Sequence, residues 1–200
     1  MHVRLSMVLA AALMCAACAS GNVTTTTLAA TATSRPSETS EVTTTSQVIE
    51  PTTGTHVGAD GVESTITDTS RIVTLSGDLT EVVWRLGFGT SVVATDVTTV
   101  YPPEAVGLPV VGVGRFLSAE GVLTQDPTLV IGDTQTSPLE VIEQIRSAGV
   151  PVVILEVPTT FEGLYDKIRD LSDALGVPER GAALAQEIRS NIETALSTAN

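Results

Sequence analysis

The sequence predicts an α/β lobe, a mostly parallel sheet flanked by helices, followed by one long terminal helix. Two observations carry this. From residue 70 onward, short β-branched runs alternate with helical apolar patterns, the order that builds parallel sheets through right-handed crossovers. One run, "VPVVILEV" at residues 150–157, is almost wholly apolar, as a strand covered on both faces must be.

The elements follow in order. "RIVTL" (71–75) is a β-branched first strand, and "SGD" follows it. Asp78 then precedes Leu79, Val82, Val83 and Leu86 at helical spacing; Glu81 completes a capping box and Gly87 ends the helix. "SVVATDV" reads as a second strand and "LPVVGVG" holds a third. "LSAEGVLTQDP" is a short helix before "TLVIGD", the fourth. Ser137, Pro138 and Glu140 give an N-cap, a first-turn proline and a capping box for a helix closed by Gly149. The fifth strand is the apolar run above. Thr159 and Glu162 cap the next helix, with Phe161, Leu164, Ile168, Leu171 and Leu175 on one stripe. From Pro178 a long helix repeats Leu184, Ile188, Ile192 and Leu196 on one face. That stripe needs a cover: the helix either folds back on the lobe or leads into a second one.

Upstream the character differs. Residues 1–18 show a basic start, an apolar run too short to span a bilayer, and small residues, the layout of a secretory signal peptide. Cys18 after Ala16 and Ala17 resembles a bacterial lipoprotein signal, although Cys15 stands where leucine is usual; an ordinary signal with incidental cysteines is the alternative. Residues 19–69 are rich in threonine and serine without apolar periodicity and read as a disordered tether. Such a coil would hold the lobe on the order of 40 Å from a membrane anchor. The domains expected are therefore signal 1–18, tether 19–69, lobe 70–177 and helix 178–200.

Composition excludes several functions. The net charge of −13 argues against nucleic acid, whose phosphates need lysine and arginine. Cys15 and Cys18 are the only cysteines, so the mature domain has neither a disulfide nor a thiolate metal site. His56 stands in the tether with no second ligand nearby. No cysteine nucleophile or G-x-S-x-G elbow is present, and "GVGRF" lacks the spacing of a dinucleotide loop. A binding protein, not an enzyme, is expected.

In open α/β sheets ligands lie at the carboxyl ends of the strands. Three loops leave such ends: "SGD", "TTVYPPEA" and "GVGRF". Tyr101 and Arg115 therefore fall on neighbouring loops of one rim. Pro102 restricts Tyr101 to extended conformations and aims its side chain. A phenolate is a hard donor suited to Fe(III), and tyrosine can be a haem axial ligand. The other reading, a ring packed over its own loop with the hydroxyl in water, stays open. Trp84 and Tyr165 are expected in or beside the core.

The stretches "TSRIVTLSGDLTEVVWRLGFGTSVVATDVTTVYPPEA", "LPVVGVGRFLSAEGVLTQDPTLVIGD" and "VIEQIRSAGVPVVILEVP" resemble haem-binding substrate-binding proteins of ABC importers, within a wider family that also binds cobalamin and siderophores. The resemblance runs from about Thr69 to the end. It implies that this chain is one half of a two-lobed protein, with the N-terminal lobe and the connecting helix present and the second lobe absent. It also implies a lipid-anchored, extracytoplasmic carrier that delivers haem to a membrane permease driven by an ATPase. Tyr101 falls on the family's "T-x-Y-P" loop and would be the haem iron's axial ligand; Arg115 would pair with a propionate. No histidine follows residue 56 to act as a second ligand. A cobalamin or ferric-siderophore binder, or a truncated remnant without ligand, are the alternatives.

Overall fold

The computed structural model describes residues 54–112 and 117–199. Four strands make the central sheet: β3 (Ile72–Thr74), β4 (Val92–Ala94), β5 (Leu129–Asp133) and β6 (Val152–Leu155). Their order is β4-β3-β5-β6 and every pairing is parallel. The strands bury side chains on both faces, which is why they read as unbroken apolar runs.

Alternation within each strand divides these side chains between two cores. Ile72, Leu129, Ile131, Val153 and Leu155 face one layer, while Val73, Val130, Val152 and Ile154 face the other. The first layer contains α1 (Gly77–Val83), α5 (Phe161–Ala174) and α6 (Pro178–Thr198). The second contains α3 (Ala119–Leu123) and α4 (Leu139–Ser147). A single-turn helix, α2 (Pro103–Val106), follows the Tyr101 loop. After Val83 the chain widens into a π-helical turn over Trp84–Phe88, where Gly87 takes φ 94°.

The long helix folds back. Leu184 and Ala185 are buried against α5, Ile188 and Ile192 pack at the edge of the same core, and Leu196 is exposed. The two helices approach closely at Gly181, where an added β-carbon would overlap the side chain of Ser172.

Several expectations need correction. "LPVVGVG" does not form a full strand: among the described residues only Thr95 and Val110 make a parallel bridge, with Thr95 N donating to Pro109 O and Val111 N to Thr95 O. Pro109 has no amide to extend that ladder. Residues 54–69, expected to be coil, instead contain a hairpin of β1 (Gly54–Val57) and β2 (Glu63–Ile66). It lies along the outer edge of β6, with Ala59 N donating to Ile154 O (2.7 Å) and Ser64 Oγ to Val152 O (2.9 Å). Ile66 is wholly buried in the first core. The hairpin thereby covers an edge that would otherwise present free backbone groups.

The caps shift by one or two residues. Ser76, not Asp78, precedes α1; Pro138, not Ser137, precedes α4. Thr160, not Thr159, caps α5 by accepting from Gly163 N. Phe161, the first residue of α5, is 57% exposed and is not on the helix's buried face. Tyr165 is buried and Trp84 packs partly against the first core. Tyr165 also lies under the Arg189 guanidinium, 4.3 Å from the ring centre.

Candidate functional site

The carboxyl ends of β3, β4 and β5 open on one rim, as the parallel topology requires. A hollow of about 170 Å³ lies there, lined among others by Ser76, Asp96, Thr98, Asp133, Gln135 and Ser137. A wider depression of about 300 Å³ adjoins it, bounded by Gly77, Asp78, Glu81, Thr98, Val100 and Tyr101. Thr98 borders both, so the two are halves of one surface.

Tyr101 is 54% exposed on this rim. Its peptide to Pro102 is cis, and Pro102 is the residue from which α2 starts. Tyr101 shares the wider depression with Gly77 and Asp78 of the "SGD" loop. Arg115 lies in 113–116, outside the described residues; Gly112 and Leu117, which bracket that segment, both line the hollow. Cys18 also lies outside the described residues.

The Tyr101 loop is tied down by polar contacts. Thr98 Oγ1 donates to Asp96 Oδ1 (2.7 Å) and accepts from Gly77 N (2.9 Å). Thr98 N donates to the same Asp96 oxygen (3.1 Å). Thr99 Oγ1 lies 3.1 Å from Thr80 Oγ1, itself 2.6 Å from Thr74 Oγ1, so a chain of buried hydroxyls runs from the loop to β3. Gly77 is required at this crossing: a β-carbon there would overlap the Thr98 carbonyl oxygen. The first amide of α1 is thereby satisfied by the Thr98 hydroxyl.

Among the described residues the floor of the rim is acidic and contains one buried cation. Lys167 Nζ, from α5, is 2.6 Å from Asp78 Oδ2 and 3.7 Å from Asp133 Oδ2. Burial acts to raise the Asp78 carboxyl, but hydrogen bonds from Lys167 and Ser76 outweigh it and hold it below the usual aspartate range. Asp96 shifts the other way: burial raises it, the Thr98 hydrogen bonds only partly oppose this, and the charges of Asp133 and Asp78 add to the rise. Among the described residues no group of three or more His, Cys, Asp or Glu side chains could hold a free metal ion.

Sequence reasoning put Tyr101 on this rim but did not single out Asp96, Thr98, Asp133 or Lys167. A signal for the first two existed, since aspartate followed two residues later by threonine is the pattern of an Asx turn. None existed for Lys167, whose partners lie 89 residues before it (Asp78) and on a separate strand.

A family model described as periplasmic binding protein matches residues 72–199. The vitamin B12-binding protein of Vibrio campbellii is 28% identical over 123 residues, covering 62% of this chain and 44% of that protein. The apo structure of the periplasmic heme-binding protein RhuT from Roseiflexus sp. RS-1 is 46% identical, with a TM-score of 0.61 over 64% of this chain and 49% of that one. The heme-binding protein HmuT is 34% identical, with a TM-score of 0.70 over 74% and 48%. The chain thus spans about half the length of these relatives. A match over residues 72–199, from the first strand of the parallel sheet to the end of the long helix, shows that this chain belongs to the periplasmic binding protein family.

Proposed function

We propose that this lobe is the haem-binding part of an extracytoplasmic ABC-importer component, with Tyr101 supplying the axial oxygen to ferric iron. The observation that carries this reading is the half-exposed phenol on the carboxyl rim, on a loop fixed to α1 and β3. The 46% identity to a solved protein described as heme-binding supports the choice of ligand. Haem is the cargo here, and binding requires the phenol to give up its proton to water while the metal stabilises the anion. Arg115 is proposed to pair with a propionate as a charge-assisted partner. Cys18 is proposed as the lipidated anchor, and a membrane permease with its ATPase as the recipient.

Haemin titration of the purified full chain tests the central point. A tyrosinate–Fe(III) charge-transfer band is expected and should vanish in Tyr101→Phe; an identical spectrum in that variant overturns the ligand assignment. For the anchor, Cys18→Ala should leave the membrane fraction.

A second reading, cobalamin as cargo, is favoured by the vitamin B12-binding relatives. There Tyr101 would pack its ring against the corrin without ligating the metal. Cyanocobalamin binding that survives Tyr101→Phe, together with weak haemin binding, would select it.

A further inference from the structure

We propose that Thr98, held by the buried Asp96 carboxylate, is the positioning residue for Tyr101; this rests on the haem-binding reading of the rim. Tyr101 follows Thr98 by three residues, and the loop is not held by burial of its apolar side chains: Val97, just before Thr98, is 47% exposed and Val100, between Thr98 and Tyr101, is 81% exposed. Its anchorage is polar. The Thr98 hydroxyl gives its single proton to Asp96 and uses a lone pair for the Gly77 amide, so one oxygen atom makes both bonds at once. Asp96 is 7% exposed and sits at the end of β4, so the loop is referred directly to the sheet. Gly77 sits at the start of α1, which refers the same loop to the helix. The Thr99–Thr80–Thr74 chain is a second tie one residue nearer Tyr101. Pro102 fixes the far side. The phenol is thereby presented at one place on the rim before ligand arrives, which lowers the ordering cost of binding.

Thr98→Val keeps the shape and removes both bonds, while Thr98→Ser keeps the hydroxyl. Backbone ¹⁵N relaxation of the ligand-free protein should show residues 97–101 loosened in Thr98→Val and restored in Thr98→Ser. Haemin should dissociate about tenfold faster from the valine variant and within about twofold of wild type from the serine variant. The valine variant should melt somewhat below the serine variant, because the Asp96 carboxylate and the Gly77 amide lose their hydroxyl partner. Should Thr98→Val not fold, Thr98→Ala removes the same hydroxyl with no methyl to misplace. A loop equally ordered without the hydroxyl overturns the proposal, as does a loosened loop that leaves haemin dissociation unchanged. The two readings fail separately. If wild type and Tyr101→Phe give the same haemin spectrum, the ligand assignment falls, and relaxation of the ligand-free loop still decides whether Thr98 holds it.

Discussion

Lys167 and Asp78 meet across the first helical layer: an ammonium group only 4% exposed lies 2.6 Å from a carboxylate that is 57% exposed. The contact ties α5 to the start of α1, directly beneath the rim. It places one end of a charge pair out of water and leaves the other within reach of it. Removing the exposed partner leaves the buried cation with Asp133 alone, at 3.7 Å.

Asp78→Asn is therefore expected to cost about 1–2 kcal/mol at neutral pH, less than a fully buried pair because Asp78 is partly solvated. The pH dependence has a definite sign. Asp78 is held below its unfolded value, so its contribution is complete above the ordinary aspartate pKa of about 3.9 and is lost as pH falls through the lower folded value. Urea melts of wild type and variant should differ at neutral pH and converge in strong acid. A constant gap would mean that the charge is not what matters.

Asp96 carries the opposite dependence. Its folded value is raised, so the ionised form opposes folding as pH rises through the carboxylate range. Asp96→Asn keeps an oxygen that can accept from Thr98 and removes the buried charge. It should leave stability unchanged or raise it by up to about 1 kcal/mol at neutral pH. Marked destabilisation, measured by the same melts, would show that the full carboxylate is needed.

Gly77→Ala should disturb the rim without removing any functional group. The new β-carbon would overlap the Thr98 carbonyl oxygen and lie 2.9 Å from its carbonyl carbon, so the Tyr101 loop must move away from α1. A loss of about 1–3 kcal/mol is expected from such overpacking. Haemin affinity should fall by about tenfold, read by the same titration as for Tyr101→Phe.

The hairpin gives a fourth test. Arg146 Nη2 lies 2.7 Å from Asp60 Oδ2 and donates to Val152 O at 3.0 Å, so one guanidinium clasps the β1–β2 turn to the base of β6. Both side chains are about four-fifths shielded, at 19% and 20% exposure. Arg146→Ala should cost about 2 kcal/mol and speed hydrogen exchange in residues 63–66 and 152–155. Glu187→Gln, which breaks the exposed pair with Arg85, should cost less than about 1 kcal/mol and leave that exchange unchanged.

Legibility in the sequence followed burial. The strands at 72–74, 129–133 and 152–155 were readable because they are short, β-branched and apolar on both faces, with turn residues bounding them. The hairpin was not readable, because its segment continues a threonine-rich tract and sends one large apolar side chain, Ile66, into the core. Its stability comes from bonds to Val152 and Ile154, about 90 residues away. The caps slipped because cap-competent residues stand side by side at Thr159 and Thr160, and again within Ser76–Asp78. Spacing cannot choose between neighbours that offer the same chemistry. The position of Tyr101 on the rim was readable because a proline pair after a strand is a local signal.

By itself the sequence determined the alternation of strand and helix, and with it the parallel sheet, the carboxyl rim and the place of Tyr101 on it. These follow from local periodicity and from the handedness of crossovers, which need no knowledge of distant contacts. Tertiary structure alone decided that α6 lies back on α5, that the hairpin seals the edge of β6, that Thr98 meets the Gly77 amide and that Lys167 meets Asp78 and Asp133. Each of those depends on hydrogen bonds or burial between segments far apart in the chain, where composition and spacing carry no information about which partner will be met.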